Sequence, residues 1–174
     1  MIRRMVRISM NIRLAEYKDL EQMVEIYNQA IKTHRCTADM DTFSVEERIL
    51  WFEEHQCLEY PLYVYELHNK VVGYLYFTGY RKGRRAMRYT CEISYYIHND
   101  YQRQGIGTKI ITFAIEKSKE LNFKNLIAIL LEWNTPSLRL LKKFGFEEWG
   151  CLPNVADFHE EVCSHLYYGL RIQK

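Results

Sequence analysis

The hydrophobic positions near the start of the chain first follow a strand-like pattern and then a helical one. Residues 11–15 form a short alternating segment, which predicts a strand. From Asp19 to Ile31, apolar side chains recur every three or four positions, and this period predicts a helix. Ser44 and Glu47 have the spacing of a capping box, so we expect a second helix to begin there.

The middle of the chain is rich in aromatic and β-branched residues. PLYVYELH at 61–68 and KVVGYLYF at 70–77 are separated by a polar turn, and together they predict an antiparallel hairpin. TCEISYYIH at 90–98 also alternates. The side chain of Cys91 and every second one after it are predicted to face a core, whereas Glu92 begins a polar set on the opposite face.

The last third of the chain returns to longer elements. Residues 106–121 have a helical period, and NLIAILL at 125–131 is a continuous apolar run, typical of a strand covered on both faces. A shorter helix is predicted over 135–145, followed by strands near 146–150 and 162–170. The elements predict an α/β protein of the α+β type, with a mixed, largely antiparallel sheet and helices on both faces.

The composition limits the classes of function. The chain has 174 residues, 48% of them hydrophobic, which suits one domain with a sizeable core. A net charge of +2 is too small to favour nucleic acid or an anionic membrane as a partner. The five cysteines include no C-x-x-C pair, which favours reduced thiols in the cytoplasm and no metal site. We expect residues 1–9 to be a disordered extension, or to precede a start at Met10, and residues 10–174 to form a single domain.

Two glycines stand at the predicted entrance of a helix, in HNDYQRQGIGTKI at 98–110. The first amides of a helix have no partner within the helix and lie at the positive end of its dipole, so such a turn can bind phosphate. Gly105 and Gly107 would let an anion approach the backbone, and Arg103 and Lys109 could add positive charge. Neither the P-loop nor the dinucleotide fingerprint is present. By itself the stretch equally fits an ordinary glycine-containing turn.

The motifs taken together resemble a known superfamily. Gln102-Arg103-Gln104-Gly105-Ile106-Gly107 is similar to the R/Q-x-x-G-x-G/A signature of the GCN5-related N-acetyltransferases (GNAT). The segment from Asn134 to Phe146 resembles the later conserved part of that superfamily, and residues 26–31, 42–55 and 90–98 resemble its phosphinothricin acetyltransferase-like branch. The resemblance implies the GNAT fold, a twisted, mostly antiparallel sheet of six to seven strands. It also implies acetyl-CoA as co-substrate and a homodimer.

The resemblance assigns the binding of acetyl-CoA to three segments. The strand would pair with the pantetheine arm, the glycine turn would hold the pyrophosphate, and the later helix would contribute side chains. The implied residues are Tyr96, Ile97, His98, Gln102, Arg103, Gln104, Gly105, Ile106, Gly107, Thr108, Asn134 and Ser137. A free backbone amide near 96–98 is expected to stabilise the thioester oxygen. Asn134 could equally be the N-cap of its helix, and Ser137 could simply be an ordinary serine in the first helical turn.

Glu92 occupies the position of the catalytic glutamate of this branch. Transfer to an amine requires a group that removes a proton from the ammonium, and partial burial would raise the pKa of a carboxyl toward the useful range. Without the resemblance, a surface or salt-bridged glutamate would be the better interpretation. No cysteine or serine is evidently activated for a covalent intermediate, so we expect direct attack in a ternary complex.

The acceptor end of the site is less well defined by the sequence. Arg81, Arg84 and Arg85 lie in a basic stretch that could bind the carboxylate or phosphinate of an amino-acid-like substrate, or could simply be a solvated loop. His159 matches a late histidine of the branch. Relatives often carry a tyrosine or histidine where this chain has Leu141. Either another donor serves, for which Tyr167, Tyr168 and His159 are candidates, or the thiolate leaves unaided and is protonated by water.

The expected acceptor is the primary amine of a small molecule of the phosphinothricin or methionine sulfoximine class. Two alternatives remain open at this point. One is acetylation of a protein or peptide amine, and the other is a non-catalytic module that binds acyl-CoA.

Overall fold

The computed structural model describes residues 11–172, so the predicted extension at 1–9 lies outside the described residues. Within them, seven strands form one sheet in the order β1-β2-β3-β4-β5-β7-β6. The strands are β1 (Ile12–Leu14), β2 (Leu62–Leu67), β3 (Lys70–Gly79), β4 (Thr90–Ile97), β5 (Asn125–Leu131), β6 (Glu147–Asp157) and β7 (Val162–Arg171). The helices are α1 (Leu20–Lys32), α2 (Ile49–Glu54), α3 (Ile106–Glu120) and α4 (Thr135–Lys143). Among the strands of residues 11–172, only β4 and β5 pair in parallel, which confirms the mixed, largely antiparallel sheet.

Two hydrophobic cores lie on opposite faces of this sheet. Along β2, Tyr63 and Tyr65 enter the core beneath α3 and α4, whereas Leu62 and Val64 enter the core beneath α1 and α2. This alternation is the two-residue period of a strand. The predicted polar face of β4 is therefore covered as well, since Tyr96 packs edge-on against Tyr27 of α1 with ring centroids 4.9 Å apart.

Local sequence signals place two of the predicted boundaries correctly. The β2–β3 hairpin turns through His68 and Asn69, both with positive φ (50° and 62°), as a two-residue type I′ turn requires. Ser44 and Glu47 form the reciprocal hydrogen bonds of a capping box, with N···O distances of 2.7 and 3.3 Å. The helical stretch that follows is a 3₁₀ turn at Glu46–Arg48, which continues into α2 at Ile49.

β6 extends well beyond the predicted end near Gly150. It continues to Asp157 along β7, with register shifts between Glu148 and Gly150 and between Leu152 and Ala156. Pro153 lies inside the second shift, on an edge strand, where its missing N–H interrupts no ladder. Glycine and proline therefore mark bulges here, although in the sequence they indicate the end of a strand.

A buried ion pair fixes β1 against the start of α1. Arg13 donates to both carboxylate oxygens of Asp19 at 2.6 and 2.8 Å and also to Glu66 at 2.8 Å. Asp19 is 2% exposed and accepts the Glu16 amide as well. Burial by itself would raise the pKa of Asp19, but the bonds from Arg13 and the Glu16 amide outweigh it and hold that pKa below its ordinary value.

Replacing Asp19 by alanine is expected to lower the free energy of unfolding by about 2 kcal/mol at pH 7. The reason is that the native pKa of Asp19 is lowered, so its contribution is present above the unfolded pKa and is lost as the pH falls through the native one. Urea unfolding from pH 7 to pH ~3 measures this. Glu66→Ala, which removes the more exposed partner, should cost less. A penalty for Asp19→Ala that does not change with pH would contradict this account.

Candidate active site

The candidate site begins where β4 and β5 separate. Their parallel pairing covers only three positions and ends with Glu92 opposite Ile127. Beyond that point β4 stays paired with β3 alone, while β5 continues with β7. The sheet is therefore forked, and β4 has a free backbone edge from Ile93 to Ile97.

The register of β3 and β4 decides which peptide groups face this fork. The His98 amide donates to the Val72 carbonyl at 2.9 Å. Because peptide groups along a strand alternate in direction, the even-numbered residues of β4 bond to β3. The amides and carbonyls of Ile93, Tyr95 and Ile97 consequently point into the fork. Of the amides near 96–98 that are expected to stabilise the thioester oxygen, those of Tyr96 and His98 are bonded to β3, and that of Ile97 faces the fork. The buried side chain of His98 does not line the cleft.

A cleft of about 360 Å³ opens along the free edge of β4. Its walls are the C-terminal part of α1 with the turn that follows, β4, and the N-termini of α3 and α4. Nine of the predicted cofactor-binding residues line it, namely Tyr96, Ile97, Gln102, Arg103, Gly105, Gly107, Thr108, Asn134 and Ser137. Two others lie nearby without lining it. Gln104 bonds through its side chain to the Asp100 carbonyl, and the side chain of Ile106 is buried in the core.

The turn before α3 has the geometry of an anion cradle. Gly105 is the N-cap with φ of 78°, and a Cβ at this position would meet no atom within 4 Å. The first helical bond runs from the Lys109 amide to the Gly105 carbonyl. Within residues 11–172, the amides of 104–108 donate to no other group. Five backbone donors at the positive end of a 15-residue helix therefore lack a partner, and three of their residues, Gly105, Gly107 and Thr108, line the cleft.

The second glycine of the motif is explained by packing. A Cβ on Gly107 would lie 2.9 Å from Cδ2 of Leu140 and 3.4 Å from Cδ1 of Ile97, so glycine lets α3 approach α4 and β4 closely. The predicted charge of Lys109 is also placed elsewhere, because its Nζ donates to the Tyr65 hydroxyl at 3.1 Å. Arg103 is the basic side chain of the pair that lines the cleft.

α4 presents its N-terminus to the same cleft. The side-chain oxygen of Asn134 accepts the Ser137 amide at 3.3 Å, which makes Asn134 the N-cap and leaves its NH₂ group for another partner. The hydroxyl of Ser137 is hydrogen-bonded to the hydroxyl of Tyr95 on β4. This pair connects α4 to the free edge of the sheet across the cleft.

Glu92 lies at the root of the fork, on the face opposite Cys91. Burial raises the pKa of the Glu92 carboxyl above its ordinary value. No side chain within residues 11–172 forms a salt bridge or hydrogen bond with it, so the salt-bridged alternative is wrong for the described part of the chain. The hydroxyl of Tyr76 lies near this carboxyl. Burial is the main cause that raises the pKa of the Tyr76 hydroxyl, and the negative charge of Glu92 raises it further. A carboxyl with a raised pKa and a free acceptor suits a general base.

The structure does not bring the predicted acceptor residues together with Glu92. Arg81, Arg84 and Arg85 line a separate cavity of about 260 Å³ at the β3–β4 loop, which Glu92 does not line. His159 is exposed in the turn between β6 and β7, where its amide donates to Asp157 at 2.8 Å.

The fold also shows the surroundings of two cysteine thiols and of Leu141, which stands where relatives often carry a tyrosine or histidine. Cys91 is buried, and burial raises its pKa to about 12, so it is an inert core thiol. Cys36 lines the cleft, but among residues 11–172 no histidine or carboxylate is hydrogen-bonded to it. Leu141 is 0% exposed and belongs to the core beneath α4.

Sequence reasoning missed several residues of the cleft. Tyr95 was assigned to the core face of β4, yet its hydroxyl reaches Ser137. Thr33 and Cys36 follow α1 and have no motif that marks them, and Leu140 reads only as part of an apolar stripe. These residues meet because α1 and α4 dock on opposite sides of the fork.

Over residues 11–172, no three histidine, cysteine, aspartate or glutamate side chains are grouped so as to hold a metal ion. In the same part of the chain, no helix has both the length and the apolar character needed to cross a bilayer.

Comparisons with known proteins agree with this architecture. The model of the Acetyltransferase (GNAT) family matches residues 20–146, and the chain belongs to this family of acetyltransferases. YwnH of Bacillus subtilis (strain 168), named provisionally as a phosphinothricin acetyltransferase, is 38% identical over 149 residues, 85% of this chain and 90% of that protein. The L-methionine sulfoximine/L-methionine sulfone acetyltransferase of Salmonella typhimurium (strain LT2) is 32% identical, over 84% of this chain and 85% of that protein.

A solved structure shows the same fold with a ligand. YncA from Salmonella typhimurium, determined with its cofactor acetyl-CoA, superposes with a TM-score of 0.87 and 28% identity, covering 95% of each chain. The fold and family predicted from the motifs are thus confirmed.

Proposed function

We propose that this acetyltransferase moves an acetyl group from acetyl-CoA to the primary amine of a small, amino-acid-like molecule. The observation that carries the proposal is the forked sheet, with an amide cradle at one end of its free edge and Glu92 at the other. The names of the relatives support the acceptor class, since they act on, or are named for, phosphinothricin or methionine sulfoximine.

The cleft has groups that fit each part of acetyl-CoA. The free amides of 104–108, with Arg103, would hold the pyrophosphate. The exposed edge of β4 would pair with the amide-containing arm as an added strand, and the NH₂ of Asn134 could bond to the same arm. The loaded cofactor supplies the thioester that the amine attacks.

The residues near the fork suit direct transfer. Glu92 would accept a proton from the ammonium, directly or through water, and so produce the neutral amine. The amide of Ile97 or Tyr95, rather than that of His98, would stabilise the negative charge on the thioester oxygen. Because neither Cys36 nor Cys91 has an activating partner, no acyl-cysteine step is included.

The acceptor would be selected on the Glu92 side of the sheet. Arg81, Arg84 and Arg85 give the neighbouring β3–β4 loop a concentration of positive charge, and arginine suits a carboxylate or phosphinate. We retain Arg81, Arg84 and Arg85, with His159, as proposed acceptor contacts.

Three wider properties belong to the same proposal: oligomeric state, location and the kind of partner. The exposed edge strand β6 displays Trp149, Leu152 and Val155, which supports a homodimer that covers this edge. Five cysteines without a disulfide suit the cytoplasm. The charge of +2 supports a small-molecule partner over nucleic acid or a membrane.

An amine panel tests the function. The protein is incubated with acetyl-CoA and methionine sulfoximine, phosphinothricin, the common amino acids, simple amines or peptides, and release of the coenzyme A thiol is followed. Turnover is expected to be fastest with the amino-acid analogues. Preference for peptides would contradict the acceptor class, and binding of acetyl-CoA without turnover on any amine would contradict catalysis.

A further inference from the structure

We propose that the Tyr95 hydroxyl binds the thioester sulfur and stabilises the thiolate as the carbon–sulfur bond breaks. This inference rests on the proposed acetyl transfer and assigns a role that α4 leaves vacant. α4 carries Leu141 fully buried in the core, so no donor reaches the cleft from that position. One turn earlier, the hydroxyl of Ser137 is hydrogen-bonded to Tyr95.

The position of Tyr95 along β4 supports contact with the sulfur. The cradle lies beyond Ile97, and Glu92 lies at the fork, so the free edge between them defines the path of the bound arm. Tyr95 is within that edge and lines the cleft. A ligand that spans from the cradle to Glu92 must therefore pass the backbone of Tyr95, within a cleft that Tyr95 and Ser137 both line.

The two faces of β4 separate the nucleophile from the leaving group. Side chains alternate along a strand, so Glu92 and Tyr95 project to opposite faces of the sheet. Tyr95 belongs to the side of α3 and α4, where it packs against that core. An amine activated by Glu92 approaches from one face, and the sulfur leaves on the other, toward Tyr95 and Ser137.

The hydroxyl is held in the form that can donate. Burial raises the pKa of Tyr95 to about 12, despite an opposing effect of the Ser137 bond, so the phenol stays protonated at neutral pH. The new bond joins the amine nitrogen to the carbonyl carbon, and the carbon–sulfur bond breaks with its electron pair on sulfur. Tyr95 keeps its proton and donates a hydrogen bond, and the thiolate takes a proton from water. The protons released by the amine pass through Glu92 to solvent.

Tyr95→Phe removes only the hydroxyl and tests the proposal. We expect kcat to fall by roughly 10- to 100-fold, at or below the lower end of the range for loss of one preorganised donor. The affinity for acetyl-CoA and the melting temperature should change little. Tyr63→Phe is the matched control, because Tyr63 is a buried tyrosine facing the same core but outside the cleft, and its turnover should equal that of the wild type.

A binding measurement separates contact with sulfur from a structural role. A donor that favours thiolate lowers the pKa of the bound thiol below its value in free coenzyme A. The ratio of wild-type to Tyr95→Phe affinity for coenzyme A should therefore rise from pH ~6 to pH ~9. For desulfo-coenzyme A, which lacks the sulfur, the ratio should stay constant.

The contrary results of these experiments distinguish an error about Tyr95 from an error about the proposed function. A constant ratio for coenzyme A, or unchanged kcat in Tyr95→Phe, would overturn the role of Tyr95 while leaving the proposed function intact. Ser137→Ala is expected to bind coenzyme A more weakly with the same pH dependence, and loss of that dependence would assign the donor to Ser137 instead. Failure of the wild type to bind acetyl-CoA would overturn the proposed function itself.

Discussion

Glu92→Gln is expected to lower kcat by about 100- to 1,000-fold at neutral pH while the Kd for acetyl-CoA stays within about twofold. Glutamine keeps the size of the side chain and removes its ability to accept a proton. Since Glu92 does not line the cleft that would hold the cofactor, binding and turnover should separate cleanly. Thiol release measures kcat, and calorimetric titration measures Kd.

The pH dependence identifies the group that titrates. Because burial raises the pKa of Glu92, kcat/KM of the wild type should fall on the acid side at a pH above the ordinary carboxyl value of 4.5. The base form exists above the raised pKa, so activity rises with pH through it. This acid limb of the pH profile should be absent from the residual activity of Glu92→Gln. Glu116→Gln, an exposed change on α3, is the control and should behave as the wild type. Unchanged turnover in Glu92→Gln, or persistence of the limb, would remove Glu92 from the mechanism.

Gly105→Val is expected to raise the Kd for acetyl-CoA by roughly 10- to 100-fold. A β-branched residue at φ of 78° is strained by about 1–3 kcal/mol, although its Cβ would contact nothing. The turn can relieve this strain only by rotating, and rotation turns the amides of 104–108 away from a common point. One factor of ten in Kd corresponds to about 1.4 kcal/mol.

Gly83→Val is a closely matched control for this prediction. Gly83 has φ of 85° and an equally open Cβ position, but it lies in the β3–β4 loop away from the cradle. Both variants should lose similar stability, whereas only Gly105→Val should lose affinity for acetyl-CoA. Equal affinity in the two variants would show that the cradle does not hold the diphosphate.

Elements with a strong local signal could be predicted from the sequence. The period of α1, the apolar run of β5 and the hairpin turn are properties of neighbouring residues, so no knowledge of distant contacts was needed. β6 was predicted too short because glycine and proline signal turns locally, and only pairing with β7 converts them into bulges.

The candidate site likewise has features that the sequence predicted and features that depend on the tertiary structure. Its motifs placed nine of twelve expected cofactor-binding residues along one cleft. The wrong predictions concern the direction in which a backbone amide or a side chain points. The His98 amide is bonded to β3 because the strand register sets the phase of alternation, and Lys109 turns to Tyr65 because β2 lies beside α3.

The sequence by itself determined the family, the order of strands and helices and the position of the glycine cradle, because periodicity and short motifs act over a few neighbouring residues. Only the tertiary structure decided which amides of β4 stay free, which two hydroxyls meet beside the cleft and that the arginines have a cavity of their own. Those features depend on register and on how helices dock, and both are set by contacts between residues far apart in the chain.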